Sequence, residues 1–539
     1  PNRIFVIVEA LEQWMSIEEI NEITGIDIFF LSKITHIIDA KKALKSSGND
    51  LLTKKNIPLF LKAKIQWFSD LQIAHLLDIP EVSIRKFRFT HNILPSIKQI
   101  DTLAWEFKAQ TNYLYTTYSW QEDDLDFSCP LPNLPLAGEE QSVIINWWKK
   151  WERRKILVIG SWAYRIWSSV EFDWCCVNTL KTLKKNGYET LFLNCNPETV
   201  STDYEESDKL YFDEISGERI LDIYHKESLA GVIISMWGQT ANNLAIYLKN
   251  AWVKILGTDP KDIDNAEDRN KFSALLDKIW VDQPKWAEVT SLEESLNFAS
   301  KVWFPVLIRP SYVLSWANMK VCSNPGQLEQ FLEKKVGISE DHPSVISKFE
   351  ENCKEIEIDG VAKDGKLVIY AIGEHIENAW VHSGDATIVL PAQFLYVETI
   401  RKIKNITKSI IKELHITWPF NIQFLAKNNE IKVIECNLRA SRSFPFVSKV
   451  TKHNFIEIAV DVILWKNNTT DYNTLDLDYV WIKASQFSFH RLKWADPRLW
   501  IEMASTGEVG CLGSDIYQAF LKSLLSVWMT VPKKNVLLS

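Results

Sequence analysis

Glycine is scarce in this chain, 18 of 539 residues, against about 7% in average proteins. Cysteine is sparse too: eight residues, scattered, with no CxxC pair. That excludes a disulfide framework and points to free, buried thiols in a reducing compartment. No uninterrupted apolar run reaches membrane length, and residues 1–20 carry no signal-peptide pattern; the expectation is a cytoplasmic protein with no membrane partner. Basic excess is absent as well. The net charge is −8 and the pI about 5.8, which leaves no electrostatic footprint for nucleic acid.

Tryptophan is abundant, with 23 residues. Many of them stand where local chemistry asks for glycine. Residues 155–170 read KILVIGSWAYRIWSSV, an apolar strand run feeding a loop that opens a helix. Such a loop needs glycines so that backbone N–H groups can approach phosphates, yet Gly160 is followed by Trp162 and Trp167. Glycine and tryptophan together make 41 of 539 residues, close to a normal glycine share. The expectation is that most tryptophans occupy glycine positions, as when a UGA codon that the source reads as glycine is translated as tryptophan. A tryptophan-rich protein is the alternative.

Hydrophobic content of 46% and charged content of 24% fit a globular protein of two to four domains. Residues 1–136 read as short helices. Ser16 with Glu19 three positions on makes a capping box. Residues 29–43 and 56–77 keep helical apolar spacing, and 69–82 read as two helices across a tight turn. That last pattern also suits a DNA-reading helix-turn-helix; the acidic balance favours a packing module. A proline-rich stretch from Cys129 marks a boundary, with a linker over 137–149. Strands at 156–159, 189–194, 231–235 and 254–257, with a helix over 170–186, predict a parallel α/β sheet for 150–264. From 265 to 535 the pattern becomes α+β. Strands fall at 306–309, 345–349 and 354–359, then a hairpin pairs 421–426 with 430–436 across Asn428-Asn429.

That hairpin carries the strongest chemistry. Alternation puts Glu435 and Asn437 on one face, with Gln423 roughly opposite. A carboxylate and two amides suit a hard cation that also keeps phosphate oxygens. Arg439 and Arg442 follow at once, and arginine clamps phosphate oxygens. The bland reading is a polar sheet face with surface ion pairs. Arg309 ends a strand, and residues 313–317 take the place of a phosphate-covering loop, with Trp316 at a glycine position. His382 and Asp385 share a compact polar turn. Arg269 follows two acids at a helix start, a pattern that a plain helix also gives.

In this order the residues resemble the large subunit of carbamoyl phosphate synthetase. The strings that carry the resemblance are SSVEFDWCCV, NCNPETVSTDYEESDKLYF, AEDRNKFSALLD, RPSYVLS, VHSGDAT, FNIQF and IECNLRASRSFPFVSK. It covers essentially the whole chain, and the family has glycine at Trp162, Trp167, Trp237, Trp303, Trp316, Trp380 and Trp418.

The resemblance implies an N-terminal all-α oligomerisation domain over 1–136, whose start resembles the tail of the first synthetase half. A Rossmann-like pre-ATP-grasp sheet over 150–264 and an ATP-grasp domain over 265–535 follow, and 536–539 fall where an allosteric domain begins. It implies an ATP-grasp ligase that phosphorylates carbamate to carbamoyl phosphate for arginine or pyrimidine synthesis. The partners implied are a first synthetase half, a glutaminase subunit or domain, and further copies in an oligomer. Carried over by motif, Arg269, Arg309, Lys348, Glu350, Glu355, Val381, His382, Ser383, Gln423 and Glu435 contact ATP. Gln423, Glu435 and Asn437 hold Mg²⁺ or Mn²⁺, while Glu435, Arg439 and Arg442 are catalytic. Lys348 and Glu350 fall at the adenine hinge, where Glu350 departs from the family's aliphatic residue. A non-catalytic scaffold homologue and another ATP-grasp ligase, such as a biotin-dependent carboxylase, are the alternatives.

Overall fold

The computed structural model describes residues 3–13, 15–101, 106, 111–127, 154–161, 170–310, 320–332, 344–379, 381–466, 477–487, 505–527, 529, 531, 533 and 534. The linker over 137–149, the segment 536–539, Trp162, Trp167, Trp316, Trp380 and the side chain of Arg309 lie outside them. The chain forms two compact units: residues 1–139 with 211–228, and residues 140–210 with 229–539. No helix among the described residues is long and apolar enough to cross a membrane.

The first unit is built on helices Arg3–Glu12, Ile17–Thr24, Ile28–Ser47, Ile57–Ile65, Asp70–Leu77 and Glu81–Thr90. The expected capping box is present: the Ser16 hydroxyl accepts from Glu19 N, and Glu19 accepts from Ser16 N. The helical run expected over 56–77 breaks at Trp67, which has φ 68°. Helices 70–77 and 81–90 meet at Asp78, in left-handed conformation. Leu44, Leu51, Phe60, Ile73 and Ile84 form the core they share. The unit is not helical throughout. Strands β1 (Ser96–Gln99) and β2 (Tyr113–Thr117) pair antiparallel, a pattern that β-branched and aromatic residues favour.

Charge is buried in this unit. Lys64 Nζ lies 2.9 Å from Asp70 and 2.7 Å from Glu218, and Arg88 contacts Asp70 at 3.0 Å and Asp222 at 2.9 Å. Glu218 and Asp222 lie on helix Gly217–Glu227. Burial raises the Glu218 carboxyl, but Lys64, Arg88 and Arg219 overcome it and hold it down at about 2. Asp222 goes the other way: burial pushes it up to about 6.

In the second unit β3 (Lys155–Ile159) pairs parallel with β4 (Glu189–Asn194) on one side. After β5 (Lys209–Phe212), β6 (Gly231–Ile233) pairs parallel on the other side of β3. Helix Val170–Lys185 follows β3 in the chain. The parallel α/β reading holds here, with one correction. Residues 254–257 make only a single bridge, Ile255 to Val232, instead of a fourth strand.

Two antiparallel sheets follow. The smaller comprises β7 (Trp286–Val289), β8 (Val306–Pro310), β9 (Lys320–Cys322) and β10 (Ser344–Lys348), in the order β7-β10-β8-β9. Its core of Val289, Ala299, Ile308, Leu328 and Ile346 includes residues of helices Leu292–Val302 and Pro325–Phe331. The larger has seven strands: β11 (Lys354–Lys363), β12 (Lys366–Asn378), β13 (Ile388–Leu390), β14 (Pro419–Lys427), β15 (Glu430–Asn437), β16 (Val480–Phe487) and β17 (Ser505–Gly513). Their order is β15-β14-β11-β12-β13-β16-β17. The hairpin turn falls at Asn428 and Asn429, with φ 51° and 65°, the left-handed pair that a two-residue turn requires.

Among the described residues, five tryptophans sit in positive-φ backbone: Trp67, Trp252, Trp280, Trp303 and Trp465. Each follows a helix end, and each side chain is exposed. At Trp465 the amide donates to Val462 O at 2.9 Å and the next amide, of Lys466, to Asp461 O at 2.9 Å. Trp67, Trp252 and Trp280 repeat that pattern. This is the helix termination that glycine normally supplies, because a Cβ there meets the following carbonyl. Trp418 misfits differently. It is fully buried and its indole N–H finds no partner, where a buried indole N–H is ordinarily bonded.

Candidate active site

Three strands set the site. Antiparallel pairing puts Glu435 opposite Gln423, and Gln423 opposite Glu357 of β11. One rank along, Asn437 faces Asn421, which faces Asp359. Directly paired residues point to the same face, so acids and amides line it in two ranks. The pairing slips between Gln423 and Phe424, which leaves Ile434 as an extra residue in β15. Such a bulge re-aims neighbouring side chains. Arg269 donates to the bulged carbonyl, Ile434 O, at 2.9 Å.

This register puts Gln423, Glu435 and Asn437 on one face of the hairpin. Asn437 Nδ2 donates to Glu435 Oε1 at 2.9 Å, and Arg439 Nη2 donates to Asn437 Oδ1 at 3.3 Å. Arg439 Nε also donates to Gln239 Oε1 at 3.3 Å. Burial lowers the Arg439 guanidinium's pKa, while Glu267 and Glu435 work against that. Arg442 Nη1 lies 3.4 Å from Glu171 Oε1, and its guanidinium sits over the Phe172 ring at 5.8 Å.

His382 belongs to the same neighbourhood. Burial lowers its pKa; Asp385 and Glu435 oppose this, and Arg442 and Lys483 add to it. Gly384 N donates to His382 Nδ1 at 3.0 Å, and Asp385 N to His382 O at 2.7 Å. With Nδ1 accepting, the proton of the neutral ring lies on Nε2. The turn is pinned from β16. Lys483 Nζ donates to Ser383 O at 2.9 Å, and Ser485 Oγ to Gly384 O at 2.6 Å. Val381 and Ser383 are half-buried beside it.

The remaining residues of the sequence reading have these surroundings. Lys348 Nζ donates to the backbone carbonyls of Trp303, Phe304 and Pro305 at 2.9, 3.3 and 3.4 Å. Glu350 pairs with Lys432 at 2.5 Å. Glu355 is buried on β11, on the same face as Glu357 and Asp359.

Glu357 and Asp359 were not singled out from the sequence. Both are buried. Burial, with the neighbouring Asp359, pushes Glu357 up to about 8; burial pushes Asp359 up to about 6 against hydrogen bonds from Ser441 and Asn421. Their signal was present in 355–359, Glu-Ile-Glu-Ile-Asp, where every second residue is acidic.

Among the described residues no three His, Cys, Asp or Glu side chains are grouped to hold a metal alone. The donors at the hairpin are one carboxylate and two amides. Such oxygen donors suit Mg²⁺, a hard cation that completes its shell with water and phosphate oxygens.

Family models match most of the chain. The carbamoyl-phosphate synthetase large chain oligomerisation domain matches residues 1–92, the carbamoyl phosphate synthase preATP-grasp domain 152–265, and the carbamoyl-phosphate synthase L chain ATP binding domain 268–465. The chain belongs to the carbamoyl phosphate synthetase large-chain family, among the ATP-grasp ligases. Similar relatives include the multifunctional protein ura1 of Schizosaccharomyces pombe, 49% identical over 539 residues, which are 100% of this chain and 23% of that protein. The mitochondrial carbamoyl-phosphate synthase [ammonia] of Homo sapiens is 46% identical over 542 residues, 99% of this chain and 34% of that protein. The chain thus spans between a quarter and a third, roughly, of such relatives' length. An ADP complex of the N5-carboxyaminoimidazole ribonucleotide synthetase purK matches with TM-score 0.54 and 12% identity, over 70% of this chain and 97% of that one. A biotin carboxylase from Campylobacter jejuni matches with TM-score 0.52 and 14% identity, over 69% and 90%. These two likenesses are of fold alone.

Proposed function

We propose that this chain phosphorylates carbamate with ATP to give carbamoyl phosphate and ADP, the second-half reaction of its family. The observation that carries the reading is the gathering of Gln423, Glu435 and Asn437 with Arg439 on one face of the β14–β15 hairpin and the loop after it. Phosphoryl transfer asks little covalent chemistry of the protein; alignment and charge neutralisation dominate. Mg²⁺ or Mn²⁺ held by Gln423, Glu435 and Asn437 would supply neutralisation of the phosphate oxygens.

Arg439 and Arg442 neutralise charge on the transferring group and on carbamate. The carbamate oxygen is already an anion, so no residue has to take a proton from it. His382, neutral near pH 7 because burial lowers its pKa, donates from Nε2 and orients a phosphate oxygen. Arg309 and Glu355 contribute to ATP binding. Arg269 supports it from behind, by fixing the bulge beside Glu435. Lys348 and Glu350 contribute at the hinge through their present partners. Carbamate decomposes quickly in water, so exclusion of water matters.

The domain limits proposed are 1–136, 150–264 and 265–535. A first synthetase half, a glutaminase and further copies of the chain are the proposed partners, and pyrimidine or arginine synthesis is the proposed setting.

The test runs the reaction backwards, which avoids unstable carbamate. The purified chain is given ADP, Mg²⁺ and carbamoyl phosphate, and ATP is measured. Magnesium-dependent ATP formation is expected. No ATP formed, together with no nucleotide binding by calorimetry, overturns the reading in favour of a non-catalytic scaffold.

A further inference from the structure

The loop after β15 carries both arginines, and something has to hold it. Hydrogen bonds to its serines and backbone do so. Ser441 Oγ donates to Asp359 Oδ1 at 2.6 Å, and Ser443 Oγ to Glu357 Oε1 at 2.8 Å. The backbone adds Ala440 N to Ser235 O at 2.8 Å, and Leu438 O accepts from Asn242 Nδ2 at 3.2 Å. The serines alternate with Arg442, so a loop whose hydroxyls point to β11 fixes where the guanidinium between them starts. Asn421 Nδ2 steadies the anchor, donating to Asp359 Oδ1 at 2.9 Å.

Glu357 and Asp359 are 3% and 2% exposed. Buried carboxyl groups are costly even when bonded, and a sheet face needing only stability is better filled with apolar side chains. Their partners here are hydroxyls and an amide, which bind directionally without competing for the arginines. Arg439 and Arg442 thereby keep their own contacts, with Asn437 and Glu171.

We propose that Glu357 and Asp359 are positioning residues, which anchor Ser441 and Ser443 and so aim Arg439 and Arg442 at the transferring phosphoryl group. Neither touches substrate; they act through the serines. The inference deepens the reading of the site as carbamate-phosphorylating and rests on it. It also makes a separate statement about the loop, which is measurable without turnover.

The experiment uses the full chain and two measurements. In ATP formation from ADP and carbamoyl phosphate, the double variant Ser441→Ala/Ser443→Ala should lower kcat about 10- to 100-fold, as lost orientation does, and leave KM for ADP within about threefold. Glu357→Gln keeps an acceptor for Ser443 and should retain most of the rate, whereas Glu357→Leu should not. Hydrogen–deuterium exchange should rise in residues 438–443 of the serine double variant and stay unchanged in β11 and in helix Phe444–Thr451. Wild-type rates in the double variant, equal loss in Glu357→Gln and Glu357→Leu, or unchanged exchange over 438–443 would each overturn the proposal. An inactive wild-type chain would overturn the catalytic reading instead, and the exchange result would still decide whether the serines anchor the loop.

Discussion

Asn437 donates its side-chain N–H to Glu435 Oε1 at 2.9 Å, from two residues further along β15. The contact orients the carboxylate and turns the Asn437 carbonyl oxygen toward Arg439. One amide thus couples the proposed cation ligand to the proposed phosphate clamp. Glu435→Ala should reduce ATP formation from ADP and carbamoyl phosphate by on the order of 10³-fold, in the range that loss of a preorganised charge-stabilising group produces. Asn437→Leu should fall nearly as far, because it removes an oxygen donor and frees both neighbours to turn. Rates near wild type in either variant would remove these residues from the site.

The left-handed tryptophans make a prediction about stability. A side chain in that backbone costs roughly 1–2 kcal/mol per residue. Trp67→Gly, Trp252→Gly, Trp280→Gly and Trp465→Gly should therefore each stabilise the protein by about 1 kcal/mol, read as a higher denaturant midpoint with an unchanged slope. Trp286→Gly is the control. Its indole N–H bonds the Ser273 hydroxyl, and its loss should destabilise.

The same backbone bears on the gene. If these positions are glycines written as tryptophan, peptides from the natural source should carry glycine masses at 67, 252, 280 and 465, and the gene should have UGA there. Ordinary UGG codons with tryptophan masses would sink that account.

In the first unit, acid should act through Glu218. Its folded pKa, about 2, lies below the ordinary carboxylate value. The stability it contributes is present above about pH 4.5 and is lost as pH falls through 2. Asp222 works oppositely. Raised to about 6, it costs stability as pH climbs from its ordinary value, about 4, to 6. Glu218→Gln should flatten the acid limb of a stability-versus-pH curve, and Asp222→Asn the limb between about pH 4 and 6. Lys64→Met leaves Asp70 and Glu218 buried without their ammonium and should cost about 3–5 kcal/mol. A flat curve in wild type would disprove the network's role.

Thiol chemistry offers a further check. Cys195 is exposed, while Cys175, Cys176 and Cys436 are buried with thiols pushed upward by burial. Iodoacetamide at pH 8 should label Cys195 in the native protein and those three only after denaturation. Fast native labelling of Cys436 would contradict its place in β15.

The hairpin was legible because both of its signals are local. Asn428-Asn429 needs no partner to prefer left-handed backbone, and alternation assigns Glu435 and Asn437 to one face. The helix run over 56–77 was misread at Trp67, since tryptophan hides the termination that glycine would have announced. Residues 254–257 look like a strand by composition but make a single bridge, because pairing depends on a neighbour that spacing does not reveal. Lys348, Glu350 and Arg269 were assigned to nucleotide by their place in a motif. Their partners include backbone carbonyls and Lys432, which only the folded chain brings near.

By itself the sequence determined the alternation of the hairpin strands, their oxygen-rich face and the family, since each rests on residue order and on spacings within one element. Tertiary structure alone decided that β11 lies beside β14. It thereby set two acids from residues 357 and 359 beneath serines more than 80 positions later in the chain. The reason is physical: strand order in a sheet is fixed by which apolar faces pack together, a long-range choice that no local run of residues encodes.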